Sequence, residues 1–200
     1  MGLISNGTTL LDSGTLDSGV ATGALTLIST QTASSSATVS FTSGIDSTYK
    51  EYIFKFINVH PATNDVNLQF NGSVDSGSNY NVTKTTSFFA ARHRENDSNT
   101  NIEYVTNRDL AQSTDFQKLN YDTGNDNDED VCGTLTIFDP SNTTFVKHFI
   151  SRAVGNGQAE DCQDSHVAGY FNTTSAINAI QFKFASGNID SGTIKLYGVK

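Results

Sequence analysis

The chain has 200 residues, enough for one domain that buries a core without staples, and 36% of them are hydrophobic. Charged residues make up only 16% and the formal net charge is −9, with 21 acidic against 12 basic residues. That balance excludes a disordered polyelectrolyte, and it argues against nucleic acid and anionic membrane surfaces, which are bound by clustered Lys and Arg. The one basic cluster, Arg92-His93-Arg94, is followed by Glu95 and Asp97. No apolar run approaches the roughly 20 residues of a spanning helix. The N-terminus also lacks the basic and apolar regions of a signal peptide.

Residues 1–23 form a polar leader in which Leu-Asp-Ser-Gly occurs at 11–14 and again at 16–19. Neither a helical nor a two-residue period fits it. Leu3, Ile4, Leu10, Leu11 and Leu16 stand isolated among Gly, Ser and Thr. Composition alone reads as a flexible leader; the alternative favoured here is an extended N-terminal arm docked on a neighbouring chain, with these five as its expected anchors.

From Ala24 to Lys200 the pattern is that of one β-sandwich domain. Alternation of apolar and polar residues marks 37–42, 52–59 and 66–71, with Tyr52, Phe54 and Phe56 on one face of the strongest strand. The 66–71 run ends in Asn71-Gly72, a turn signal. Further strands are expected over 87–94, 102–107, 131–138, 145–152, 166–171, 178–185 and 192–199. Both prolines, Pro61 and Pro140, follow strands. The polar segment 107–130 is the expected irregular excursion, and loops of that length are often contact surfaces. No window shows the spacing of an amphipathic helix. The fold class is therefore all-β: an antiparallel, jelly-roll-like sandwich of about ten short strands with almost no helix, with a closed barrel as the alternative.

Few residues suggest chemistry. Asp126, Asp128 and Asp130 have the opening spacing of a calcium loop, but Val131 stands where such a loop needs Gly, and the closing Glu and flanking helices are missing. They are a candidate cation site, set against a solvated turn. Cys132, at the start of a strand, is expected to be a small buried hydrophobe, with a bridge to Cys162 as the alternative. No nucleophile elbow, phosphate loop or thiolate zinc motif occurs, so the chain is not read as an enzyme and no cofactor is expected. Tyr80, Tyr104 and Tyr121 lie in polar surroundings and are candidate glycan contacts, although Trp, the favoured stacking platform, is absent.

Three stretches carry a resemblance. The segment 41–61 (FTSGIDSTYKEYIFKFINVHP), the segment 138–149 (FDPSNTTFVKHF), and Gly169-Tyr-Phe-Asn-Thr-Thr with the terminal Gly192-Thr-Ile-Lys-Leu-Tyr-Gly198 together resemble a module of tailed-bacteriophage virion proteins of marine bacteria. The similarity spans roughly residues 24–200. It implies a structural protein of the virion, made in the bacterial cytoplasm and displayed on the particle as a capsid decoration or tail-associated subunit. Other capsid or tail proteins would be its partners, and a homo-oligomer such as a trimer its state. The shaft that would mark a complete tail fibre is missing, yet a carbohydrate- or receptor-binding adhesion module is the alternative that the same resemblance implies.

Overall fold

The computed structural model describes residues 3–5, 8–12, 15–16 and 24–200. Three strands, Leu3–Ser5 (β1), Thr8–Asp12 (β2) and Thr15–Leu16 (β3), pair antiparallel in a small sheet of their own. The leader is thus a folded-back meander over its described residues rather than one extended arm. Leu11 sits in its middle, in register with Leu3 on one side and Leu16 on the other.

The remaining strands are Leu25–Ser36 (β4), Val39–Phe41 (β5), Glu51–Pro61 (β6), Leu68–Ser73 (β7), Lys84–Arg94 (β8) and Thr100–Tyr104 (β9). They continue with Gln117–Lys118 (β10), Val131–Phe138 (β11), Lys147–Gly157 (β12), Asp161–Phe171 (β13), Ala179–Phe184 (β14) and Ile189–Val199 (β15). They form two sheets. The larger has eight strands in the order β4-β15-β6-β11-β12-β13-β8-β9, and the smaller has four in the order β10-β7-β14-β5. Every pairing is antiparallel. The sandwich expected from the sequence is present, with twelve strands in place of about ten.

Alternation explains why the sheets stack. Tyr52, Phe54 and Phe56 of β6 and Leu68, Phe70, Phe182 and Phe184 of β7 and β14 are almost wholly buried between the sheets. Their neighbours in sequence face outward, as a two-residue period requires, except Asn71, which is buried and donates to the carbonyls of Tyr80 and Thr114. The ring of Phe182 lies 5.3 Å from those of both Phe54 and Phe56, and 6.3 Å from that of Phe41, all edge-on. Such contacts add about 0.5–1.5 kcal/mol each beyond area burial.

Two glycines decide local geometry. Asn71-Gly72, a turn signal in the sequence, lies inside β7. A Cβ on Gly72 would meet the Phe171 ring at 2.9 Å, so close approach of the second layer is what selects glycine there. Gly192 has φ +125° at a bulge in β15, and a Cβ there would sit 2.6 Å from the carbonyl oxygen of Asn58.

Phe70 and Gly72 of β7 still pack on Phe149 of β12 and Phe171 of β13. The rest of the inner face of β8, β12 and β13 is covered by the segment 105–130, irregular except for β10. It first runs beside β8, with Lys84 N–H donating to Ser113 O and Thr86 N–H to Leu110 O, both at 2.8 Å. It then crosses beneath the sheet, burying Leu119 and Gln117.

Candidate functional site

On the outward face of the four-stranded sheet, Lys118 of β10, Gln69 of β7 and Lys183 of β14 fall in one cross-strand row. Their sequence neighbours Leu68, Phe70, Phe182 and Phe184 are buried, so alternation forces these three polar residues outward. With neighbouring strands roughly 4.8 Å apart, the two lysine backbones stand about 10 Å from each other. The segment 107–116 rises beside this row and closes a cleft of about 470 Å³, adding Arg108, Asp109, Asp115 and Phe116 to its walls.

Three of the twelve Lys and Arg side chains therefore meet at one cleft in an acidic protein. Lys118 Nζ donates to Asn107 O at 3.0 Å. Its proton affinity is pushed down, first by burial and then by the nearby Arg108 guanidinium. Arg108 donates through Nε to Tyr121 O at 2.9 Å and through a terminal nitrogen to Asn107 Oδ1 at 3.1 Å. Lys183 Nζ lies 4.3 Å from the centre of the Phe116 ring. Among the described residues none of the three cations forms an ion pair, although Asp109 and Asp115 line the same cleft. One Asp109 oxygen instead accepts from the Tyr104 hydroxyl at 2.7 Å.

The three tyrosines singled out by the sequence have different fates. Tyr80 lines the cleft, but its hydroxyl is buried with no partner and turned toward Gly77. Tyr121 carries two guanidiniums, of Arg92 and Arg108, each 4.1 Å from its ring centre, so its ring is already engaged by cations. Tyr104 is exposed at the edge strand β9, opposite Phe89 on the outer face of the large sheet. The structure does not bring these three rings to one site.

Asp126, Asp128 and Asp130 also fail to converge, and no group of three or more metal-ligating side chains gathers among the described residues. The carboxylate that organises this turn is Glu129, which accepts from the backbone N–H of Asp126 at 2.8 Å. Of the leader residues, Ile4 is 61% exposed and Leu11 half-buried. The side chains of Leu3, Leu10 and Leu16 lie outside the described residues.

Cys132 faces the outer side of the large sheet rather than the core. It is partly exposed, and its Sγ accepts from the Asn58 N–H at 3.3 Å. Cys162 is exposed, both thiols are free, and β12 runs between their strands. The bridge alternative is thereby excluded in this structure.

The cleft cations were missed by sequence reasoning. Arg108, Lys118 and Lys183 are far apart in the chain, and only strand register joins them. The single sequence signal was the outward position of Lys183 in the alternation Ile180, Phe182, Phe184. Comparison with protein-family models, with curated proteins and with solved structures finds no match.

Proposed function

We propose that this chain is a structural protein of a tailed-phage virion, displayed on the particle as a capsid decoration or tail-associated subunit. The observation that carries the proposal is the strand order. Pairing of β4 with β15, β5 with β14, β6 with β11 and β7 with β10 is the order of a double Greek key, or jelly roll. Two hairpin insertions, β8-β9 and β12-β13, widen one of its sheets. Jelly rolls are recurrent in viral capsid proteins and in lectins. The fold alone is an analogy; the virion role rests on it together with the sequence resemblance over 24–200.

The leader supports an anchoring role. Its three strands pair only with one another among the described sheets, and Ile4 stands in solvent. So small a sheet needs an apolar surface to lie on. Other virion proteins, or further copies of this chain in a homo-oligomer such as a trimer, would supply it. The mechanism is physical, with no catalytic step: strand pairing and apolar burial, repeated by symmetry. Deleting residues 2–20 is expected to leave a folded domain that no longer enters particles during infection. Incorporation equal to the full chain, measured by mass spectrometry of gradient-purified particles, would overturn the anchoring claim.

A second reading, a carbohydrate- or receptor-binding adhesion module, is favoured by one observation. The cleft over Lys118, Gln69 and Lys183 mixes cations, amides and carboxylates on an open sheet face. Its volume of about 470 Å³ suits a small ligand.

A further inference from the structure

We infer that the cleft on the outer face of the four-stranded sheet binds a short acidic saccharide, taking its carboxylate between Lys118 and Lys183 and its hydroxyls on Asp109, Asp115 and Gln69. The inference rests on the second reading above and names its ligand.

The argument begins with charge. In a protein of net charge −9, cations are expected to be spread out and paired. Here Arg108 and Lys118 lie close enough for one to lower the other's proton affinity, and Lys183 joins them across the sheet. None of the three is ion-paired among the described residues, and an anion entering between them relieves their mutual repulsion. The cations are also held in place. Lys118 is tied to Asn107 O, Arg108 to Tyr121 O and Asn107, and Lys183 to the face of Phe116. Side chains positioned in advance lose less entropy on binding.

The carboxylates then narrow the anion. Asp109 and Asp115 share the cleft, so a polyanion such as a nucleic acid would meet repulsion along its length. Carboxylates accept from neutral hydroxyls, and Gln69 offers both a donor and an acceptor. Together the set asks for one anionic group on a scaffold rich in hydroxyls. The row of about 10 Å between the lysine backbones gives room for one or two sugar rings around that carboxylate. Ring stacking is not the source of affinity. Lys183 lies over Phe116, and the guanidiniums of Arg92 and Arg108 each lie 4.1 Å from the Tyr121 ring centre. Binding through charge-assisted hydrogen bonds is accordingly expected to weaken as salt rises.

The test uses the full chain with a panel of oligosaccharides containing uronate, sialate or pyruvylated sugars. Each is paired with its carboxyl-reduced neutral counterpart, and sodium sulfate serves as an ion control. Binding is followed by amide chemical shifts and by calorimetry. At least one acidic member should bind, shifting Gln69, Asn107, Lys118 and Lys183. Its reduced counterpart should bind at least tenfold more weakly. K118Q/K183Q should lose at least tenfold in affinity while keeping the wild-type melting temperature. Equal binding of the reduced sugar in this cleft would overturn the acidic specificity and leave the glycan reading standing. No binding by any member would overturn both. Shifts confined to another surface, unchanged affinity in K118Q/K183Q, or equal competition by sulfate would each overturn the assignment of this cleft.

Discussion

The large sheet is covered in two different ways, and its inner face changes character between them. Where the small sheet covers it, the buried side chains are Tyr52, Phe54, Phe56, Leu135, Ile194 and Leu196. Where segment 105–130 covers it, Phe88 and Val167 share the face with buried Thr86, Ser151, Gln163 and Ser165. A regular sheet satisfies its own backbone groups, so only apolar surface needs to meet it. An irregular segment brings unpaired N–H and C=O groups, and side chains from the sheet must meet those. Thr86 Oγ1 accepts from Leu110 N–H, and Gln117 Nε2 donates to the carbonyls of Arg108 and Lys118. Gln163 Oε1 accepts from Asp122 N–H. Ser151 Oγ instead donates to Thr134 O of β11, and Ser165 Oγ is buried with no partner among the described residues, but Thr86, Gln117 and Gln163 meet groups that the segment would otherwise leave unpaired. They also fix the segment that carries Arg108, Asp109, Asp115 and Phe116 to the cleft.

The sharpest way to break this contrast is to cut into each half in turn. Phe182→Ala, in the sheet-on-sheet half, should lose about 3–5 kcal/mol in guanidinium unfolding, because four neighbouring rings cannot close the space. A loss below about 1 kcal/mol would mean that this core is loosely packed. Within segment 105–130, Gln117→Ala at β10 should cost about 1–3 kcal/mol, by leaving two carbonyls and the Thr86 hydroxyl without their partner. It should also raise amide exchange in 105–118 more than in β14. Uniform exchange would argue against the division of the molecule into two kinds of cover.

A smaller effect sharpens the comparison through pH. Lys84 is fully buried in the loop-covered half, donating to Asn71 Oδ1 at 2.7 Å and to Val82 O at 2.8 Å. Burial lowers its pKa from 10.5 to about 7, with the Asp115 charge opposing. Between those two values the unfolded chain binds more protons than the folded one, so stability from this group rises as pH increases from about 7 toward 10.5. The melting temperature of the wild type should therefore climb relative to that of Lys84→Met across this window. Parallel curves would show that the Lys84 ammonium is solvated.

The same contrast explains what the sequence made legible. Strands β6 and β14, and the Leu68–Phe70 part of β7, announce themselves because sheet-on-sheet burial demands alternation. Strand β13 was read from His166, yet it begins at Asp161. Its first turn-like stretch, Asp-Cys-Gln-Asp-Ser, places Asp161, Gln163 and Ser165 inward against the loop, so the hydrophobic signal vanishes where the cover is irregular. Strand β4, rich in Ser and Thr, is held by its long pairing with β15 rather than by an apolar face. Asn71-Gly72 reads as a turn locally, but tertiary packing against Phe171 keeps it extended. The cleft was not legible, because residues 69, 108, 118 and 183 meet only through strand register and loop path.

The virion assignment itself is tested most directly by composition. Particles purified through successive gradients from infected cells should contain this chain at a fixed ratio to the major capsid or tail protein, unchanged by high-salt washing, as quantitative mass spectrometry would read it. Its absence from such particles, with the chain recovered only in the soluble lysate, would contradict the assignment.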